Sequence, residues 1–358
     1  MTELPQAPTI DLDTLMAFVF KAVDEVGATL NTALVVLGDK LGYYTSMASG
    51  PVTPAELATS TDTGEPYARE WLNAQAAGGY VTYDATTGRY TLPPEQAAAL
   101  TDPSSPVYLP GFFQIALGTT HDIDGVLEAA RGSSGLGWHE HHHDVHDGCE
   151  RFFRTMYNAH LVQEWLPALE GVVERLERGT TVADVGCGHG ASTVIMAQAF
   201  PNSTFTGFDY HAGSIETARR RAEDGGVADR VRFEVASATQ FPGAGFGLVT
   251  TFDALHDMGD PVGAARHVHG ALAGDGTWMV VEPMAGDTVE DNLNPVGRAY
   301  YGFSTLLCTP SSLSQDVGLA LGTQAGPERI RGVVTEAGFT RFASVAQTPF
   351  NRVLEIRP

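Results

Sequence analysis

Two acids and three glycines carry the first chemical signal in this chain. Residues 180–190 read Thr-Thr-Val-Ala-Asp-Val-Gly-Cys-Gly-His-Gly, so a β-branched run ends in Asp184 and a turn follows with glycine at 186, 188 and 190. An amphipathic helix begins near Ser192. A second β-rich run, Thr204 to Phe208, then ends in Asp209, nineteen residues after Gly190. Strand, glycine turn, helix, strand and acid make half of a nucleotide-binding α/β unit. The glycines let backbone approach a ligand where a Cβ would clash, and an acid at the second strand's end accepts from a ribose diol. Further along, the pair His256-Asp257 follows a fourth strand and Glu282 ends a fifth. An imidazole outside a strand's carboxyl end is placed to take a proton. Its ordinary pKa of about 6.5 suits a phenol-like group.

The turn departs from the other common nucleotide loops. No Lys-Ser or Lys-Thr follows it, which excludes a P-loop, and the pattern Asp-x-Gly-x-Gly-x-Gly is not the dinucleotide G-x-G-x-x-G. The segment Asp-Val-Gly-Cys-Gly-x-Gly resembles the first motif of the class I S-adenosylmethionine (SAM)-dependent methyltransferases. That resemblance implies SAM as cofactor. It gives Asp184 and the turn Gly186, Cys187, Gly188 the methionine end and ribose of SAM, with Cys187 as a small packed residue and not a nucleophile. It gives Asp209 the ribose hydroxyls and Tyr210 the adenine face. Ser237 stands where the family usually has an acid for the adenine amino group. A hydroxyl can also accept, so this weakens one contact. Ala238, Phe252 and Asp253 complete the implied cofactor contacts.

The acceptor side follows from the same resemblance. His256-Asp257 is similar to the His-Asp of plant-type O-methyltransferases, where the histidine is the general base and an acid at the position of Glu282 orients it. Aromatic and related residues recur in two segments, Phe153, Met156, Tyr157 and His160, then Tyr300, Tyr301 and Phe303. In the family both segments cover the acceptor, and such a lining suits a flat apolar molecule. The run Trp138 to His146 contains five histidines. On a helix, His139, His143 and His146 would share one face. No metal is expected, however, because the adjacent glycine favours a loop and the three cysteines are widely spaced.

Other segments must hold these residues in place. The spacing predicts a helix with a buried stripe at Val23, Val26, Leu30, Leu34, Leu37 and Leu41, after a loose tail at 1–12. A capped helix starts at Thr53-Pro54-Ala55-Glu56, another spans 66–77, and a hairpin joins 80–83 to 89–92. This is a winged-helix order. Such a module suggests DNA, but residues 1–100 hold four Lys/Arg against twelve Asp/Glu. In the small-molecule O-methyltransferases of actinobacterial type that the chain resembles, it is a dimerisation and lid module. A linker with a flexible loop at 132–137 and a helical stretch at 152–176 broken at Pro167 come next. Strands at 231–235, 248–252 and 277–282 and a terminal hairpin at 339–346 and 350–356 follow. The expected fold class is α/β: a seven-stranded Rossmann-like sheet behind a winged-helix domain. The expected domains are 1–100, a helical linker and cap at 101–178, and a SAM-binding domain at 179–358 with a cover insertion at 283–326.

A formal net charge of −22 argues against nucleic acid and anionic membranes as partners. There is no basic-then-apolar leader and no run long enough to span a bilayer, so the expected location is cytoplasmic. The expected function is SAM-dependent methylation of a small aromatic or heteroaromatic metabolite by a homodimer. Carbon or nitrogen methylation of an indole-like molecule is an alternative. A SAM-binding transcriptional regulator and a nicotinamide-dependent oxidoreductase are more remote ones.

Overall fold

The computed structural model describes residues 10–132 and 134–358. The chain divides into two compact units, one of residues 1–103 with 108–114, the other of residues 104–107 with 115–358. Part of the tail expected at 1–12, and Ser133 of the expected flexible loop, lie outside the described residues.

The first unit is helical. The helices are α1 (Leu12–Lys40), α2 (Tyr43–Met47), α3 (Pro54–Ser60) and α4 (Glu65–Ala77). The hairpin β1 (Thr82–Asp84) and β2 (Arg89–Thr91) and the helix α5 (Pro94–Leu100) follow. Thr53 caps α3 as its sequence predicts: its hydroxyl accepts from Glu56 N–H, and the Glu56 carboxylate accepts from Thr53 N–H. The core forms around Trp71, edge-on to Tyr43 and Tyr44 at 4.9 and 5.0 Å. A Cβ on Gly38 would lie 2.4 Å from that indole, so only glycine lets α1 pass so close. The expected buried stripe on α1 is corrected here. Val23, Val26 and Leu30 are each more than 60% exposed, Leu34 and Leu41 of that stripe pack half-buried against the Trp71 core, and the buried α1 residues are Val35, Val36 and Gly38. The three- and four-residue spacing is real, but the side chains of Val23, Val26 and Leu30 meet no partner within the described chain.

In the second unit the chain runs through α6 (Pro110–His121, divided between the two units), α7 (Ile123–Gly132) and α8 (His143–Met156). It continues as a π-helical segment, Tyr157–Trp165, and ends this stretch with α9 (Val172–Arg178). The sheet strands are β3 (Thr181–Val185), β4 (Thr204–Asp209), β5 (Val231–Val235), β6 (Phe246–Phe252) and β7 (Leu272–Pro283). The helices α10 (Ala191–Ala199), α11 (Ala212–Asp224) and α12 (Pro261–Ala271) alternate with them. Helices α13 (Pro295–Phe303), α14 (Thr309–Leu313) and α15 (Gly326–Glu336) precede the closing hairpin β8 (Arg341–Gln347) and β9 (Asn351–Arg357).

Among the described residues the sheet has seven strands in the order β5-β4-β3-β6-β7-β9-β8. Five are parallel; β9 enters antiparallel between β7 and β8. Helices cover the central strands, so these read as continuous apolar runs, with Trp278 to Val281 at most 1% exposed. The Gly-Asp-Gly of residues 274–276, ahead of the strand expected at 277–282, lies inside the long strand β7, where the pairing with β6 shifts register. No helix among the described residues is long and apolar enough to cross a membrane.

Candidate active site

The predicted cofactor residues lie at the carboxyl ends of β3, β4, β5 and β6. The turn after β3 is held by backbone bonds: Gly186 and Cys187 N–H donate to Phe208 O at 2.8 and 3.1 Å. Gly188 N–H and His211 N–H donate to the two Asp209 carboxylate oxygens at 2.9 and 2.8 Å. Gly186 and Gly188 have φ of +76° and +51°, which a side chain would resist. Their surroundings differ. A Cβ on Gly186 would lie 2.8 Å from Ala254 Cβ, whereas one on Gly188 would meet open space. The turn thus touches the loop after β6 on one side and leaves room on the other.

Asp184 is placed differently from its expected role as a ligand contact. It is wholly buried, and its carboxylate accepts from Ser192, Thr193 and Thr250 hydroxyls at 2.7, 2.6 and 2.9 Å. It fastens α10 to β3 and β6, which fixes the turn's shape. Burial raises the pKa of Asp184 and Asp209, and these hydrogen bonds oppose the rise. Tyr210 and Ser237 are exposed, Ser237 paired with Thr239 at 3.2 Å, and Ala238 packs against the sheet core.

The loop after β6 carries the other half. Asp253 has a φ of +47°, a sparsely populated region for a residue with a side chain, and its N–H donates to Val281 O at 2.7 Å. Asn351 on β9 donates to Asp253 Oδ1 at 2.7 Å, while the buried Asp253 Oδ2 accepts no hydrogen bond. Glu282 accepts from Leu255 N–H at 3.0 Å with one oxygen and pairs with His256 Nδ1 at 2.7 Å with the other. The His256 Nε2 lies 3.2 Å from Asp257 Oδ1 without forming a hydrogen bond. Burial works against the charged imidazole. The Glu282 and Asp257 carboxylates together outweigh it, and the His256 pKa lies well above the ordinary histidine value. Burial, with Glu282 adding repulsion, pushes Asp253 well above the usual carboxylate range.

The aromatic segments are only partly gathered here. Tyr157 packs on Phe252 at 5.1 Å and stacks on Phe153 at 6.3 Å, and Met156 is buried beside them in sequence. The Tyr300 hydroxyl donates to Phe350 O at 2.8 Å, and Tyr301 and Phe303 are half-buried on the same helix, α13. His160 is not drawn in: it pairs with Glu164 at 3.0 Å and stacks on Trp165. The shared face of His139, His143 and His146 does not form either, because a short 3₁₀ turn ends at Glu140 and α8 starts only at His143. His141 pairs with Asp122 at 2.8 Å instead, and His146 meets Trp138 O at 2.9 Å.

Two residues of the site escaped the sequence reading. Asn351 reaches Asp253 across 98 residues of chain, and Cys308 lies beside His256 and Asp257. Neither carries a local signal, since only the insertion of β9 and the fold of 304–308 bring them in.

A family model described as a methyltransferase domain matches residues 176–314, and one described as an Rv2258c-like winged HTH domain matches residues 29–102. A methyltransferase domain thus occupies residues 176–314. The winged helix-turn-helix domain precedes it. The 27-O-demethylrifamycin SV methyltransferase of Amycolatopsis mediterranei is 31% identical over 143 residues, 39% of this chain and 44% of that one. An uncharacterized protein of a Synechococcus strain is 36% identical over 83 residues, 22% of this chain and 20% of that one. The chain thus spans less than half the length of these two curated relatives. Among solved structures, human N-acetylserotonin methyltransferase in complex with SAM aligns with a TM-score of 0.67 at 15% identity, over 98% of this chain and 99% of that one. The mitomycin 7-O-methyltransferase MmcR aligns with a TM-score of 0.64 at 19% identity, over 97% and 99%. At such identities these structures establish the fold of the methyltransferase domain and its N-terminal partner.

Proposed function

We propose that this protein transfers a methyl group from SAM to a small aromatic or heteroaromatic acceptor, with oxygen as the leading acceptor atom. One observation carries the reading: the glycine turn packs directly on the loop that ends in His256. A ligand held on that turn therefore has its end beside the imidazole.

The residues fit SAM. Open space lies over Gly188, Asp209 stands at the end of β4, and Asp253 Oδ2 is buried without a hydrogen bond, a good match for a cationic group. Bound SAM supplies a methyl carbon already activated by a sulfonium. Asp209 accepts the ribose hydroxyls, with Gly188 and His211 N–H holding its carboxylate still. Tyr157 and Phe252 wall the acceptor, and Phe153 and Tyr300 extend that cover. His256 takes the acceptor's proton at Nε2, since Nδ1 is held by Glu282. Glu282 fixes the tautomer and steadies the imidazolium that forms. The His256 pKa is raised above the ordinary histidine value, so turnover should climb as pH rises past that value.

The raised pKa also favours a second reading. An imidazolium between two carboxylates positions the acceptor without taking a proton, which suits methylation of an indole-like carbon or an amine. A pH–rate profile separates the two: methyl transfer to an oxygen deprotonated by His256 predicts a rise above the ordinary histidine pKa, and positioning predicts none from this residue. A labelled-SAM assay against phenols, indoles and amines identifies the acceptor class.

The N-terminal domain is proposed to dimerise through α1, whose Phe18, Phe20, Val23, Val26 and Leu30 are more than 60% exposed. A DNA-reading role has less support. Arg69 on α4 is tied to Glu65 and Glu70, and Arg89 to Glu56. A gel-shift at low salt tests it.

A further inference from the structure

Three side chains with different donor atoms meet beside the proposed base. One ligand atom each from His256, Asp257 and Cys308 lies within 4.8 Å of the other two. His256 and Cys308 are buried, and Asp257 is half-buried. We propose that His256 Nε2, an Asp257 carboxylate oxygen and Cys308 Sγ bind one divalent cation of the zinc type.

The donor set makes the choice of ion. Imidazole, carboxylate and thiolate together match zinc, whereas magnesium and calcium take oxygen. Three protein ligands with a fourth position open is the count found in catalytic, as opposed to structural, zinc sites. Ligand atoms around tetrahedral zinc stand about 3.3–3.8 Å apart. The His256 and Asp257 atoms are already at 3.2 Å. The sulfur needs to close by no more than about 1 Å to reach that spacing.

The surroundings fit an ion as well. Metal-bound histidines usually donate their second ring N–H to a carboxylate. Here Glu282 meets His256 Nδ1 at 2.7 Å, which turns Nε2 toward the site, and Leu255 N–H holds the other Glu282 oxygen. Asp257 Oδ1 is buried without a hydrogen bond and faces His256 Nε2 at 3.2 Å, so a cation held by both atoms takes the place of the imidazolium proton. Cys308 packs with Val145 and Leu307, and Trp138 and Cys149 lie against that cluster, an apolar shell that restricts water. The ligands sit on two firm elements, the 3₁₀ turn Leu255–Asp257 and the π-helical segment Ser304–Cys308. The sequence argued against zinc because its cysteines are widely spaced. The fold removes that objection by supplying one cysteine next to a His-Asp pair.

A consequence follows that, unlike the site itself, rests on His256 being the base. A cation on Nε2 occupies the lone pair that would take the acceptor's proton, so zinc inhibits methyl transfer without displacing the cofactor.

The test is a cobalt titration of the metal-free, full-length protein, read by thiolate-to-cobalt charge-transfer absorption. The site predicts a band saturating at one equivalent, abolished by zinc but not by magnesium, and absent in Cys308→Ser. Asp257→Asn should weaken cobalt binding at least tenfold, and it serves as the second probe if the serine variant does not fold. S-adenosylhomocysteine affinity reports folding of both variants. Cobalt bound with no thiolate band, as the histidine-rich run near Trp138 would bind it, overturns the proposal. So does a band that survives Cys308→Ser. If the band appears and zinc leaves methyl transfer unaffected, the metal site stands and the base assignment falls.

Discussion

The two halves of the site are finished to different degrees. On the cofactor side, Asp184 has three hydroxyl donors and Asp209 has two backbone donors, and the turn is anchored to Phe208. On the loop after β6, which leads from the cofactor contact Asp253 to His256, Asp253 Oδ2 and Asp257 Oδ1 are buried with no hydrogen bond. Buried polar atoms are nearly always satisfied, so a cluster of exceptions marks where a ligand would complete the structure. The contrast teaches that the cofactor half is preformed, its acids satisfied by the chain itself. The acceptor half is held by long-range contacts and keeps unmet bonding capacity.

Variants on each side should separate the two halves, and the largest effect belongs to the acceptor half. His256→Ala should lower turnover by about 10²–10⁴ if the imidazole takes the proton. A loss of only a few-fold in kcat would reduce His256 to a positioning residue. Next comes the scaffold: Asp184→Ala leaves three buried hydroxyls without their acceptor and should cost about 1–3 kcal/mol in urea unfolding. No change would mean that the turn does not depend on Asp184. Asn351→Ala frees Asp253 from its one side-chain donor and should cost a few-fold in turnover while sparing stability more than Asp184→Ala does.

The pH dependence sharpens the same contrast. The His256 pKa is raised in the folded protein, so its ion pairs stabilise the fold in full below the unfolded histidine value of about 6.5. That contribution is lost as pH rises through the folded value, and over the same range the neutral base becomes available. Wild-type protein should therefore lose its stability advantage over His256→Gln as pH rises above about 6.5, while wild-type turnover increases. A stability difference independent of pH would show that the imidazole is not charged in the fold.

Much of the cofactor half was legible because its signals are local. A β-branched run, a glycine turn and an acid at the next strand's end lie within thirty residues, and β3, α10 and β4 form as that spacing predicts. Its one misplacement, Asp184, arose because burial is set by three partners on other elements. The acceptor half was legible only as residue types. Glu282 meets His256 across 26 residues and Asn351 meets Asp253 across 98, and periodicity does not carry such distances. The stripe on α1 shows the complementary limit. Spacing identified an apolar helix face at Val23, Val26 and Leu30, but spacing does not say whether the partner is the same chain.

Calorimetric titration of S-adenosylhomocysteine into wild-type, Asp209→Ala and His256→Ala protein tests the division most directly. Asp209→Ala should bind at least tenfold more weakly, about 1.4 kcal/mol, and His256→Ala should stay within about twofold of wild type. Unchanged affinity in Asp209→Ala, or an equal loss in both variants, would contradict the assignment of cofactor and acceptor to separate halves.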